Sequence, residues 1–303
     1  MKRLICVRIP ATTANVGPGF DTLGIALQLY NRVGIKLTRA PRTVVSGEFE
    51  REESHAAMKM VMQAARAFFH RTEREEAGMS IHIEGDIPIS RGLGSSATVR
   101  LGIVAGLNRL YGGALKAGDV LDLVAGLEGH PDNASAAIHG GLVVAGDMEG
   151  KIVCIATRLP KSLRFVAAIP DYQVETKKAR ALLPASLPLP DAVHNLNRTA
   201  LLVASFWNRD YKAISNFLDD RIHQPYRAAL VPQLFPAINA ARLAGAIGGW
   251  LSGSGSTIMA MTLTNPEKVG QAMQKVFDDS GKSCRIRVLG ADHHGLAFEP
   301  GGY

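Results

Sequence analysis

The stretch Ile87-Pro88-Ile89-Ser90-Arg91-Gly92-Leu93-Gly94-Ser95-Ser96-Ala97-Thr98 constrains the fold more than any other part of the chain. Before it, Ser80 to Gly85 alternates polar and apolar residues as a half-buried strand does, and Pro88 ends the ladder. After it, Ala97 to Tyr111 shows only Arg100, Asn108 and Arg109 as strongly polar positions, and Gly112-Gly113 supplies a C-terminal stop. A strand therefore feeds a long buried helix through a glycine-rich loop.

Gly92 and Gly94 carry no side chain to block a ligand and can adopt positive φ, which lets successive backbone N–H groups turn toward one anion. Ser95 and Ser96 fall where an N-cap is expected, and the unpaired N–H groups of the helix start add partial positive charge. The loop suits phosphate. It lacks the lysine of G-x-x-x-x-G-K-[ST] and does not match G-x-G-x-x-G. Taken alone, it reads equally well as a Gly-Ser helix cap with no ligand.

With 303 residues the chain can form two ordinary domains or one large one. A hydrophobic content of 47% with 20% charged residues is that of a soluble globular protein, and no apolar run approaches the 18 or so residues of a membrane span. Arg8 and Pro10 interrupt the N-terminus before a signal peptide could form, so a cytoplasmic location is expected. Cys6, Cys154 and Cys284 are odd in number and form no C-x-x-C pair, which predicts three buried thiols. The formal net charge of +7 is scattered without a basic run, favouring an anionic small molecule over nucleic acid.

Leu4 to Ile9 reads as a strand, followed by a loop from Pro10 to Gly24 and a second strand over Ile25 to Leu29. Within the loop, Asn15 and Asp21 could hold an ammonium or a hydroxyl, or bond their own backbone. Met58, Val61, Met62, Ala65, Phe68 and Phe69 predict an amphipathic helix over Ser54 to Arg71 with a core-facing stripe. A further helix leads to Glu128-Gly129-His130-Pro131-Asp132-Asn133, which by composition alone is a helix end and a turn. A hairpin spans Gly140 to Ile155, and a domain boundary is expected near Leu159-Pro160. Leu182 to Pro190 reads as an extended link, Thr199–Phe206 and Ala213–Leu218 as helices, and His293-His294 as part of an exposed tail.

Pro10 to Leu27, Pro88 to Ala97 and Leu251-Ser252-Gly253-Ser254-Gly255-Ser256-Thr257 together resemble the three motifs of the GHMP kinases, in the same order and across nearly the whole chain. PATTANVGPGFDTLGIAL is similar to the branch acting on L-homoserine. The resemblance implies an α+β, two-domain fold: an N-terminal ribosomal-protein-S5-like domain over 1–158 and a C-terminal ferredoxin-like α/β domain over 159–303. It implies ATP and Mg²⁺, with phosphoryl transfer to a small alcohol, no nucleic-acid or membrane partner, and a possible homodimer.

Carried over residue by residue, Pro88, Ile89, Ser90, Arg91, Gly92, Leu93, Gly94, Ser95, Ser96, Ala97 and Thr98 bind nucleotide. By the same resemblance, Ser96 and Glu128 are expected to hold Mg²⁺. Asn15, Asp21, His130, Thr176, Arg180 and Arg227 are expected to bind substrate, both arginines on its carboxylate, and Asn15, Asp21 and Arg180 also carry the catalytic assignment. Asp132 lies where other members of the family keep a base and is given no role. The chain departs from the family at Lys59, the nearest match to an adenine-contacting Asn, at Ser256 in place of Pro, and at Ala134-Ser135-Ala136-Ala137. The alternatives are a GHMP kinase for another alcohol and a non-catalytic binding module.

Overall fold

The computed structural model describes residues 4–47 and 51–300. Positions 1–3 and 301–303, at the outer ends of the two expected domains, lie outside the described residues. The strands are β1 (Ile5–Ala14), β2 (Leu23–Leu37), β3 (Val44–Gly47), β4 (Met79–Gly85), β5 (Leu142–Met148), β6 (Lys151–Thr157), β7 (Arg164–Pro170), β8 (Gly248–Leu251), β9 (Ile258–Thr262), β10 (Cys284–Leu289) and β11 (Ala297–Glu299). Among the helices, α1 (Arg51–Arg71), α2 (Ser95–Leu110), α3 (Ala117–Glu128) and α4 (Asp132–His139) precede β5. Then come α5 (Thr176–Ala181), α6 (Leu189–Trp207), α7 (Gln224–Arg227), α8 (Leu234–Leu243) and α9 (Pro266–Asp279).

Two sheets result. The first runs β11-β1-β2-β4-β3, with β5 and β6 continuing from the start of β2, and the second runs β10-β7-β9-β8. Buried α2 lies on β1 and β2 because Gly102 and Gly106 leave room for Val33 and Ile35, and a Cβ at Gly102 would overlap Val33. Its Leu101 and Val104 share that core with Val7, Ile9, Val61 and Phe68. The core stripe expected on α1 is confirmed by buried Val61, Ala65, Phe68 and Phe69, while Met58 and Met62 are only part-buried. A second core draws Val16, Leu23, Ile25 and Leu93 together with Phe165, Trp250 and Met259, so the two sheets share one apolar seam.

Several expected boundaries move. β1 continues through the first part of the predicted loop, because Ala11 to Ala14 pair with Leu27 to Gly24 after a register shift at Pro10/Ala11. A proline at such an irregularity loses no ladder hydrogen bond. The true loop is 15–22. Pro190 is not in a link but in the first turn of α6, where its missing N–H costs nothing. Helix α4 follows Gly129 after two residues and is buried almost all round, so no amphipathic period marked it. Residues 213–216 form one 3₁₀ turn instead of a longer helix.

The final segment is no exposed tail. β11 pairs with β1 in the first sheet, and buried Asp292 accepts hydrogen bonds from Tyr30 Oη at 2.9 Å and from the backbone N–H groups of His294 and Gly295. Of the three free thiols, Cys6 is buried and Cys154 and Cys284 are only part-buried. No described helix is long and apolar enough to cross a membrane.

Candidate active site

A cleft of about 600 Å³ lies between the glycine-rich loop, the 15–22 loop and the elements α1, α5 and α7. Its far wall is apolar, with Ala57, Met60, Ile83, Ile87, Pro88 and Val99. Lys59, the expected adenine contact, is exposed and outside the lining, because on α1 it sits a hundred degrees round from Met60. Of the wall residues, Pro88 is expected from the sequence as a nucleotide contact, whereas Ala57, Met60, Ile83 and Val99 carry no signal of their own.

The loop brings Pro88 to Gly92 and Gly94 to Ser96 to the cleft. Leu93, Ala97 and Thr98 turn away and are fully buried, Leu93 in the shared seam and Thr98 bonded to Asn31 Nδ2 and the Ser95 carbonyl. The N-cap is Gly94, at φ +72, and not a serine. Ser95 and Ser96 are therefore the first helical residues, which frees their side chains for the cleft. A Cβ at Gly94 would overlap Thr12 Oγ1, itself fixed by a 2.6 Å bond to Asn133 Oδ1. Arg91 does not face a ligand with its fork: it donates to the carbonyls of Ile89, Pro170 and Asp171, tying the loop to β7.

The third motif braces the loop from behind. Ser252 Oγ donates to the Gly92 carbonyl at 2.7 Å and Thr257 N–H to the Arg91 carbonyl at 3.1 Å. Gly253 and Ser254 reach the cleft, and Ser254 Oγ lies 3.4 Å from Thr176 Oγ1.

Ser96 and Glu128, 32 positions apart, meet: the serine hydroxyl donates to Glu128 Oε2 at 2.7 Å. Arg100, one turn further along α2, takes Glu128 Oε1. A hydroxyl and a carboxylate oxygen converging beside a phosphate-suited loop are the oxygen donors that Mg²⁺ selects, so this pair fits that ion. Arg100 was not anticipated.

At the opposite end, Asp21 is gripped by Arg180 through both oxygens, at 3.0 and 2.7 Å. The expected use of Arg180 on a substrate carboxylate is thus answered in this structure by a carboxylate of the chain. Asn15 also works internally, accepting from Asp21 N–H at 3.1 Å and donating to the Gly253 carbonyl at 3.0 Å. The loop between them holds Asn15, Val16 and Asp21 at positive φ, a cost for β-branched Val16 that the surrounding core sustains. Asn195 and Thr199 of α6 donate to the Pro18 carbonyl, each at 3.0 Å, and fix the loop from outside.

His130 lines the cleft with Nδ1 2.6 Å from Asp132 Oδ1. Burial alone would lower its pKa, but the hydrogen bond and charge of Asp132, helped by Asp21 and Glu128, raise it above the ordinary 6.5. Asp21, His130 and Asp132 offer ligand atoms within 4.8 Å of one another, yet Arg180 and the His130–Asp132 bond already answer these charges. Arg227 is 2% exposed and has no carboxylate partner among the described residues; it donates to the carbonyls of Gly253 at 3.0 Å and Ala179 at 3.4 Å. Burial, with the neighbouring charge of Arg180, pushes its pKa down to about 10. Both guanidinium groups lie over Phe20, 5.4 and 5.2 Å from the ring centre.

The cleft thus joins an apolar pocket, an anion-ready helix start and a cationic end. Residues 59–141 match the model of the GHMP kinases N terminal domain and residues 200–279 that of the GHMP kinases C terminal, so the chain is an ATP-using kinase of the GHMP class. It is 39% identical over 289 residues to a homoserine kinase of Moorella thermoacetica, covering 95% of this chain and 98% of that protein. It is 36% identical over 295 residues to one of Desulfitobacterium hafniense, covering 97% and 99%. A crystal structure of homoserine kinase from Cytophaga hutchinsonii superposes with a TM-score of 0.87 at 28% identity, covering 99% of this chain and 98% of that one. Within the GHMP kinases, the chain belongs to the homoserine kinase family.

Proposed function

We propose that this chain transfers the γ-phosphoryl group of ATP to the side-chain hydroxyl of L-homoserine, giving O-phospho-L-homoserine on the way to threonine. The observation that carries the substrate assignment is Arg227: a guanidinium 2% exposed, lining the cleft, with no carboxylate of its own among the described residues. Burying such a charge is costly unless an anion completes it. An amino-acid carboxylate does so, whereas a neutral sugar brings no carboxylate, and a hydroxy acid such as mevalonate brings no ammonium for Asp21.

In this reading the adenine occupies the apolar wall, and the triphosphate lies along Gly92 to Ser96 against the first-turn N–H groups of α2. Arg227 takes the carboxylate, and Asp21, held by Arg180, takes the ammonium. Thr176 and Asn15 close that end, and the hydroxyl lies between His130 and the phosphate loop. Ser96 and Glu128 would hold Mg²⁺, which when bound neutralises charge on the phosphate oxygens. Positioning and charge neutralisation carry most of phosphoryl transfer, so no dedicated base is required. Asp132 fits a positioning role better than a base, because its Oδ1 already accepts from His130 and from the N–H and Nδ2 of Asn133. We place the reaction in the cytoplasm.

The direct test is ADP release with ATP and Mg²⁺ in the presence of L-homoserine, L-serine, L-threonine, mevalonate or galactose. Release with L-homoserine alone supports the reading. Release only with another alcohol overturns the substrate, and release with none returns the non-catalytic alternative.

A further inference from the structure

His223 is 0% exposed, does not line the cleft, and stands immediately before α7, one helical turn ahead of Arg227. Its two ring nitrogens face different groups. Nε2 lies 2.9 Å from the carbonyl oxygen of Gly17, which can only accept, so Nε2 carries the proton. Nδ1 is then a lone pair, and it lies 3.4 Å from Nη1 of Arg227, which can only donate. The opposite tautomer would set lone pair against lone pair at Gly17 and N–H against N–H at Arg227. A doubly protonated ring would place a second cation beside Arg227. Asp220 Oδ2, 3.4 Å from Nε2, already accepts from the backbone N–H groups of His223 and Gln224. Burial and the charge of Arg227 hold the imidazole below its ordinary pKa, against the opposing charges of Asp220 and Asp21.

The ring is also fixed from one face. Phe20 stacks on it at 5.4 Å and 27°, and the same Phe20 ring lies under Arg227. His223 therefore joins the loop that presents Asn15 and Asp21 to the helix that presents Arg227.

We propose that His223 is the positioning residue for Arg227: held as the neutral Nε2–H tautomer by the Gly17 carbonyl, it accepts from the guanidinium and aims it at the substrate carboxylate. The inference rests on the reading above that Arg227 binds that carboxylate. Arg227 otherwise has two carbonyl acceptors, one of them at 3.4 Å, and an unfixed fork on a flexible stem loses orientation before it loses charge.

Two substitutions separate the two nitrogens. His223→Asn leaves an acceptor close to the Nδ1 position, and His223→Gln leaves a donor close to the Nε2 position. The expected result is a KM for L-homoserine within about twofold of the parent for His223→Asn and raised about tenfold for His223→Gln, with KM for ATP unchanged in both. A parental KM for His223→Gln overturns the proposal and leaves His223 as a clamp on the Gly17 loop. Should either variant fail to fold by circular dichroism, the ¹⁵N shift of His223 Nδ1 in the parent protein decides: an unprotonated Nδ1 shifted upfield of a free lone pair, as an acceptor from Arg227, supports the proposal, and a protonated or unbonded Nδ1 overturns it. Arg227→Leu isolates the premise. If it leaves KM for L-homoserine unchanged, the carboxylate reading itself fails; if it raises that KM while His223→Gln does not, only the role of His223 fails.

Discussion

Arg180 and Asp21, 159 positions apart in the chain, form a two-pronged ion pair at 3.0 and 2.7 Å on the rim of the cleft. Their side chains are 35% and 30% exposed, so solvent screens the pair and its weight for stability is modest. Its value is orientation: the fork fixes the carboxylate that faces an incoming ammonium.

Asp21→Asn keeps the size of the side chain and removes the charge. The expected outcome is a fall in kcat/KM for L-homoserine of about 100-fold, with KM for ATP within about twofold, measured by steady-state ADP release. An equal loss toward both substrates would contradict a role confined to the amino-acid end.

Glu128 accepts from both Ser96 and Arg100, so removing the side chain would strand a cation that is only 16% exposed. Glu128→Gln is the smaller change, since its one amide oxygen can still accept from Ser96 or Arg100 while the charge is removed. Turnover at millimolar Mg²⁺ should drop about 100-fold or more while the circular dichroism spectrum is retained. Parental turnover at ordinary Mg²⁺ would remove Ser96 and Glu128 as the metal pair.

Gly94→Ala tests the loop backbone. At φ +72 an alanine is strained, and its Cβ meets Thr12 Oγ1, so unfolding should become easier by about 1–3 kcal/mol and KM for ATP should rise. A melting temperature and KM equal to the parent would show that the loop is less constrained than its geometry implies.

The His130 imidazole gives a pH signature. Because its folded-state pKa is raised, protonated His130 stabilises the native state fully below the unfolded value of 6.5, and that stabilisation is lost as pH rises through the higher folded value. Urea unfolding of the parent and of His130→Gln should therefore differ most below pH 6.5 and converge at higher pH. A difference that grows with pH would reverse the assignment. His223, with its pKa lowered, contributes a slope of opposite sign that is common to both proteins and cancels in the comparison.

Much of the site was legible because its chemistry sits in contiguous stretches. The Gly92 to Ser96 loop, the pairing of Ser96 with Glu128 and the gathering of Asp21, His130, Thr176, Arg180 and Arg227 around one cleft all follow from motifs in the sequence. Other parts had no local signal. Ala57, Met60 and Val99 are ordinary apolar residues until α1 and α2 bring them to one wall. Helix α4 shows no period because it is buried on nearly every side, and the segment at Asp292 looked like a tail because its partners, Tyr30 and β1, are more than 260 residues away.

What the sequence determined by itself were the elements whose cause is local: glycines where the backbone needs positive φ, a two-residue period in β4, and a stripe on α1 that places Val61 and Phe68 in the core. Only the tertiary structure decided how charges pair. Arg180 and Arg227 are both arginines of short helices, yet one spends its fork on Asp21 and the other is buried without a carboxylate. The reason is physical: an ion pair depends on distance and desolvation between groups far apart in the chain, and neither quantity exists until the two sheets close on their common seam.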